Sequence, residues 1–297
     1  MTRIAVLGAV LTACSTGSPE QVTARKTEAL RAGFVPAVQE RAARGAPAIA
    51  VDPRGRVFVL DAVNGRIVRK DGDELVPVAE VPGDADDLAI GPDGAMAVRR
   101  SVKPEVLVLD PSGKQVGRVD TSALPDVDAI SLGRSRRVAV TTPFQETFSL
   151  GSPSMPQLPA VVLATKREGA VVLADGRGVV AVHTDDGRLE LRAGGERISL
   201  GEGDAARIVG AEGNVVCARI ERVSADAEGA LRTAREAACV STVSGRTVFR
   251  AALDAPAAFV PRRELAYRAS TLAYAHTADD GSLAIATWSV PNEGGAR

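Results

Sequence analysis

Residues 49–69 read Ile-Ala-Val-Asp-Pro-Arg-Gly-Arg-Val-Phe-Val-Leu-Asp-Ala-Val-Asn-Gly-Arg-Ile-Val-Arg. Three short apolar runs, at 48–51, 56–60 and 65–69, are separated by two turn signals. Asp52-Pro53-Arg54-Gly55 supplies a first hairpin turn and Asn64-Gly65 a second. The unit returns along the chain. Leu88–Gly94 leads into Ala95–Val98 and Val106–Gly113, and Ala129–Arg134 into Arg137–Thr141. Val171–Gly176, Val179–Val182 and Leu189–Arg192 form a fourth unit, and Ile208–Gly213 opens a fifth. The last contains Ala258–Pro261, Leu265–Tyr267, Leu272–Tyr274 and Leu283–Trp288. Gly55, Gly94 and Gly133 stand 39 residues apart. A strand-only period of about 40 residues is the mark of a propeller, with one four-stranded sheet per repeat. The reading is therefore all-β, a six-bladed β-propeller over residues 47–290. A β-sandwich is the other architecture that short strands and frequent turns allow. Ring closure by strand sharing would draw on residues near 34–48 and 283–290.

The first unit resembles an NHL repeat: an apolar strand, Asp-Pro-x-Gly, a second apolar strand ending in Asp61, then Asn64-Gly-Arg-Ile67. The resemblance extends over 48–70 and more loosely over 86–110. It implies a propeller of the broad NHL and gluconolactonase-like group. The chain lacks the Trp-Asp dipeptides of WD40 repeats. Its single Trp does not suit the quinoprotein propellers.

The N-terminus is a separate matter. Arg3 is a minimal basic region, Ile4–Val10 a short apolar one, and Leu11-Thr12-Ala13-Cys14 resembles the lipobox of bacterial lipoproteins. That resemblance implies a signal peptide at 1–13, removed on export, and a lipid on Cys14. Several acyl chains anchor firmly, because each buried methylene contributes about 0.8 kcal/mol. Ser15 after the cysteine favours an outer-membrane address. Residues 14–46 read as a tether with a short helix beginning at Ser18-Pro19, and 291–297 as a tail. The expected location is the cell envelope, with the membrane as one partner.

Composition narrows the function. Lys and Arg number 36 against 37 Asp and Glu, for a net charge of −1, and aromatics make up 3%. Nucleic-acid binding needs a basic surface to displace counterions and aromatic faces for unpaired bases to stack on, so it is not expected. With Cys14 set aside, Cys217 and Cys239 remain in an exported chain, where disulfides persist. They flank a turn at Asp226-Ala-Glu-Gly229, so a hairpin folded about residue 228 places them opposite each other. A disulfide and a pair of buried thiols both fit. Zinc does not, because neither cysteine has a Cys-x-x-Cys or histidine partner.

Loops that enter the innermost strands of a propeller share one face with loops that leave the second strands. The entering loops carry Asp84, Asp86, Asp87, Asp126, Asp128 and Asp204. The leaving positions carry Asp61, Asn64, Arg99, Arg100, His183 with Asp185, and Arg268. Asp61, Asp87, Arg100, Asp128, His183 and Arg268 are the candidate ligand-binding residues of this mouth. Converging carboxylates can hold Ca²⁺ or another divalent cation, with Asp87 and Asp128 the best placed. The gluconolactonase-like resemblance would then imply metal-dependent lactone hydrolysis. Aspartate is also a favoured turn residue, and turns account for the same pattern without a metal. His183 and His276 are the only imidazoles, and no Gly-x-Ser-x-Gly elbow accompanies them. The function expected is a tethered binding module for a protein, peptide or other ligand of the envelope, with the metal-dependent hydrolase as the alternative.

Overall fold

The computed structural model describes residues 32–35, 44–124, 126–173, 175–254, 259–278, 280 and 282–291. The signal peptide, Cys14, the helix expected from Ser18 and residues 292–297 lie outside these. Six small antiparallel sheets follow one another along the chain as the six blades of a propeller. Blade 1 contains Ala48–Val51, Val57–Asp61, Arg66–Asp71 and Glu74–Glu80, and blade 2 contains Ala85–Ile90, Met96–Arg100, Glu105–Leu109 and Gln115–Asp120. Blade 3 is built on Ala129–Leu132, Val138–Thr141 and Glu146–Ser152, with the two-residue strands Met155–Pro156 and Arg167–Glu168 on its outer edge. Blade 4 runs Val171–Val172, Gly178–His183, Arg188–Ala193 and Glu196–Glu202. Blade 5 runs Ala205–Glu212, Val215–Ala225, Leu231–Ser241 and Thr247–Leu253, and blade 6 has Leu265–Arg268, Thr271–Thr277 and Leu283–Ser289. The strands expected at 48–51, 56–60 and 65–69 fall within one residue of the observed starts.

The inner hairpin turns explain the repeat. Asp52 is buried and its Oδ1 accepts hydrogen bonds from the Arg54 and Arg56 amides at 2.8 and 2.9 Å, while Gly55 takes φ +75°. A side chain at Gly55 would strain the backbone and meet Thr271 Oγ1 at 2.8 Å, so the glycine is required twice over. Gly94, Gly176 and Gly213 occupy the same turn in blades 2, 4 and 5, all with positive φ.

Each blade is covered by a neighbour on both faces, and its most buried strands read as continuous apolar runs, while others, such as Gly178–His183 and Arg188–Ala193, alternate. Val57–Asp61 is buried at every position. Leu60, Ile67, Leu88 and Met96 form the seam between blades 1 and 2, and Val106, Ile130, Val140 and Leu150 that between 2 and 3. Leu191, Ile198, Ile220 and Val240 join blades 4 and 5. Burial of each such side chain contributes about 2 kcal/mol. The seam between blades 3 and 4 is polar by contrast. The Gln145 side chain pairs with the backbone of Ala181 through bonds of 2.7 and 2.6 Å, and Thr147 Oγ1 donates to Gly169 O at 2.7 Å.

The ring closes where blade 6 meets blade 1. Ala48 and Arg263 form a parallel bridge, with Ile49 N donating to Arg263 O at 2.9 Å and Arg263 N to Pro47 O at 3.1 Å. Residues 283–289 provide the third strand of blade 6, which has no fourth strand among the described residues. Part of the expected tether is seated on the wheel. Ala46 is buried in the seam between blades 6 and 1, and Gly33 N donates to Asp61 Oδ1 at 2.9 Å.

The hairpin about residue 228 forms as read. Val215–Ala225 and Leu231–Ser241 pair over their whole length, with Cys217 directly opposite Cys239. The two cysteines are joined by a disulfide with their Cα atoms 4.0 Å apart, and both are fully buried between blades 5 and 6.

Candidate functional site

The innermost strands surround the axis unevenly. Those of blades 1, 2, 3, 5 and 6 span four to eight residues, whereas blade 4 contributes only Val171–Val172. The short strand leaves the axis unfilled on that side. A cavity of about 430 Å³ opens there, walled by blades 3 to 6 and lined by Ile130, Val171 and Ile208 among apolar residues.

Four arginines reach this space: Arg207 and Arg219 from blade 5, and Arg262 and Arg263 from the loop that enters blade 6. Two carboxylates, Asp128 and Glu264, share it. Glu264 Oε1 accepts from Arg219 Nη1 at 2.8 Å and from Arg235 Nη2, and its side chain is 1% exposed. Arg219 and Arg235 also share Glu221 Oε1, at 3.1 and 3.3 Å. Arg262 and Arg263 cross the mouth. Arg262 donates to the carbonyls of Val127 and Asp128, and Arg263 Nη2 to Asp87 Oδ2 and Ile130 O, both at 2.8 Å. Burial, together with the neighbouring Arg99 cation, holds the Arg262 guanidinium below its ordinary pKa.

Asp87 is fully buried, and every bond it makes is structural. Its Oδ1 takes the Leu88 amide at 2.9 Å, and its Oδ2 the Ile130 amide and Arg263, both at 2.8 Å. Asp128 Oδ1 is held by Arg207 at 2.9 Å. Both carboxylates read as the best-placed cation ligands, Asp87 and Asp128, are thus engaged by guanidinium groups in this structure. No group of three or more His, Cys, Asp or Glu with metal-holding geometry occurs among the described residues. Asp61 is likewise a clamp, binding Asn64 Nδ2 at 2.9 Å and Arg66 Nε at 2.8 Å as well as Gly33. Arg100, at the end of the second strand of blade 2, donates to Asp84 and Glu105, and the hydrogen bond it gives Asp84 raises its pKa above the ordinary value.

His183 ends the second strand of blade 4, exposed and outside the cavity lining. Arg268 is a correction to the sequence reading. It ends the innermost strand of blade 6, not a second strand, so it belongs to the opposite mouth, where it donates to Ile90 O. The error came from reading Ala258–Pro261 as a strand. Phe259, Val260 and Pro261 are irregular and carry the chain toward Arg262. Pro261 has no amide to donate to a ladder. The residues that dominate the cavity, Arg207, Arg219, Arg262, Arg263 and Glu264, were not singled out from sequence. The available signal was the Arg-Arg-Glu triplet at 262–264, which precedes the innermost strand of blade 6 as Asp84 precedes that of blade 2.

No protein-family model matches the chain, and no curated protein does either. Several solved structures align with the chain, all at low identity. A member of the DUF4221 family from Bacteroides vulgatus aligns with TM-score 0.49 at 8% identity, covering 93% of this chain and 100% of that one. A streptogramin B lyase aligns with TM-score 0.42 at 11% identity over 86% of this chain and 96% of that one. BamB from Moraxella catarrhalis aligns with TM-score 0.38 at 11% identity over 90% and 99%.

Proposed function

We propose that this chain is a binding module of the cell envelope, held at a membrane by a lipid on Cys14 and receiving its ligand or partner at the mouth formed by the loops entering blades 2, 3 and 6. The observation that carries the reading is the axial cavity. It is concave, walled by apolar strands, and furnished with a few convergent charged groups, as ligand sites are. Asp128 and Asp87, the candidate ligands of the alternative metal-dependent hydrolase, are bound by Arg207 and Arg263, which favours the binding module. Neither His183 nor His276 lines the cavity. The Leu-Thr-Ala-Cys14 segment supports the anchor, and the Cys217–Cys239 disulfide suits an oxidising compartment.

Two measurements test this. Labelling with a radioactive fatty acid should mark the wild type and not Cys14→Ser; equal labelling of both removes the anchor. Detergent-solubilised envelopes passed over the immobilised full chain should yield a retained component that is lost with an Arg207→Glu, Arg262→Glu variant of unchanged melting temperature. Retention indifferent to that variant removes the mouth as the binding site.

A further inference from the structure

Blades 1, 2, 4 and 5 each end in an outermost strand with at least one charged side chain: Glu74–Glu80, Gln115–Asp120, Glu196–Glu202 and Thr247–Leu253. Blade 3 differs. Between its two-residue edge strands the rim is covered by the segment 153–165, which contains a helix at Pro159–Ala164. No charged residue occurs from Thr147 to Thr165, in a chain that is 25% charged. The segment is fastened to the wheel on one side only. Pro153 sits where a Cβ on Gly117 of blade 2 would come within 2.4 Å of it, Val162 is buried in the core between blades 2 and 3, and Ser149 N donates to Thr165 Oγ1 at 2.8 Å. The other side faces solvent. Met155 is 74% and Leu158 73% exposed, with Val161 at 46% and Leu163 at 53%. Its backbone asks little of water: the Val161 and Val162 amides both donate to Leu158 O at 2.9 Å, and Pro156 and Pro159 have no amide to donate.

A cluster of exposed aliphatic side chains on a fixed seat marks an interaction surface. Its chemistry chooses among partners. Protein interfaces are anchored by aromatic and arginine side chains, and the segment 153–165 has neither. It forms a convex ridge, so a rigid partner would need a matching groove, whereas hydrocarbon conforms to it. Charges at its edge are matched: Lys166 with Glu146, Arg118 with Glu105 at 3.5 Å, and Arg167 followed by Glu168. Nothing therefore draws it to an anionic surface in particular. The course of the chain supplies the remaining argument. Residues 15–31 separate Cys14 from Ala32, which packs at the seam of blades 6 and 1. At full extension they reach about 60 Å, against about 50 Å for the width of a domain of this size. The blade 3 rim can therefore meet the same bilayer that receives the lipid. Resting on the reading of this chain as held at a membrane, we propose that Met155, Leu158, Val161 and Leu163 are a second membrane contact, which dips into the boundary between headgroups and acyl chains. The wheel then stands on edge, its axis along the membrane surface, and the mouth stays open to the side.

The test is flotation of the mature chain, residues 14–297 with Cys14→Ser so that no acyl chain is present, with vesicles of phosphatidylcholine and phosphatidylethanolamine at millimolar lipid. The protein should float with the vesicles. The double variant Leu158→Ser, Leu163→Ser should lower the partition coefficient about tenfold with the melting temperature preserved, since both side chains are exposed. In the lipidated protein on the same vesicles, an environment-sensitive dye at Leu158→Cys should shift to the blue and be quenched by spin-labelled lipid. The same dye at Leu231→Cys, on the hairpin of blade 5, should do neither. Absence of flotation overturns the proposal, as does flotation unchanged in the double variant, or a dye response at position 231 and not at 158. A dimer in sedimentation that the double variant makes monomeric, with no partition into vesicles, assigns the ridge to a second copy of the chain and overturns the membrane contact. Failed fatty-acid labelling at Cys14 with patch-dependent flotation retained removes the anchor alone, and labelling without flotation removes this contact alone.

Discussion

Arg263 and Asp87 stand 176 residues apart in the chain, yet Arg263 Nη2 donates to Asp87 Oδ2 at 2.8 Å, carrying blade 6 past blade 1 to blade 2. The same guanidinium donates to Ile130 O of blade 3. One side chain therefore ties together three blades that no hairpin connects. In a ring closed by packing and one parallel bridge, such a brace resists splaying of the blades.

That brace makes the first prediction. Asp87 is fully buried, so Asp87→Ala strands a guanidinium at the axis and leaves the Ile130 amide without its acceptor. Breaking a buried pair from one side costs about 3–5 kcal/mol, and the partial exposure of Arg263 places this case at the lower end. Urea unfolding of Asp87→Ala should show a loss of about 3 kcal/mol. Millimolar calcium should leave the melting temperature of the wild type where it was, because both Asp87 oxygens are already engaged. A calcium-dependent rise that Asp87→Ala abolishes would restore the cation site.

The disulfide gives the second. Cys217 and Cys239 are separated by 22 residues and face each other across a hairpin whose tip, Ala227–Gly229, is exposed. Closing a loop of this length in the unfolded chain is worth about 3 kcal/mol in the chain-entropy account. The double variant Cys217→Ala, Cys239→Ala should lose about that much in urea. Wild-type protein denatured without reductant should titrate no free thiol from these two positions. Two free thiols would mean that the pair exists only as packed sulfhydryls.

The contrast between what could and could not be read from sequence follows from the range of the interactions involved. Blades 1 and 2 were legible because their inner turns are local chemistry: Asp52 caps its own turn, and Gly55 and Gly94 supply positive φ, whereas in blade 3 Gly133 is extended and Ser135 and Arg136 take the positive φ. The corresponding turn of blade 6 uses Ala269 and Ser270, at φ +51° and +55°, so the glycine period vanishes there although the strands persist. Ser270 N is instead held by Glu212 of blade 5 at 2.9 Å, a contact 58 residues away. The same distinction governs the site. Aspartates at the entering loops were visible one by one, but their meaning depended on arginines that arrive from 79 and 176 residues later. The cavity itself opens beside one short strand, Val171–Val172, which no run of apolar residues marks off in the sequence.

Tyr267 supplies the last prediction. It lies in the innermost strand of blade 6, buried, with a hydroxyl that finds no partner within the protein. Burial first, and then the negative charge of Glu212, push its pKa up to about 12. An unfolded tyrosine ionises near 10. The folded state therefore holds its proton more tightly than the unfolded state does. The sign follows from that difference: the stability carried by the raised pKa is fully present below about pH 10 and is lost as the pH climbs toward 12. Tyr267→Phe keeps the ring and discards both the ionisation and the unpaired hydroxyl. It should be as stable as the wild type at neutral pH or more so by about 1 kcal/mol, with a shallower decline above pH 10. Burial also raises the Tyr274 pKa, while its hydroxyl donates to Asp254 O at 2.5 Å, so Tyr274→Phe should lose a hydrogen bond at neutral pH that Tyr267→Phe does not. Urea unfolding of the two variants between pH 7 and 11 separates these effects. A Tyr267→Phe protein that declines above pH 10 as steeply as the wild type would show that its phenol is ionised as freely in the wheel as in the open chain.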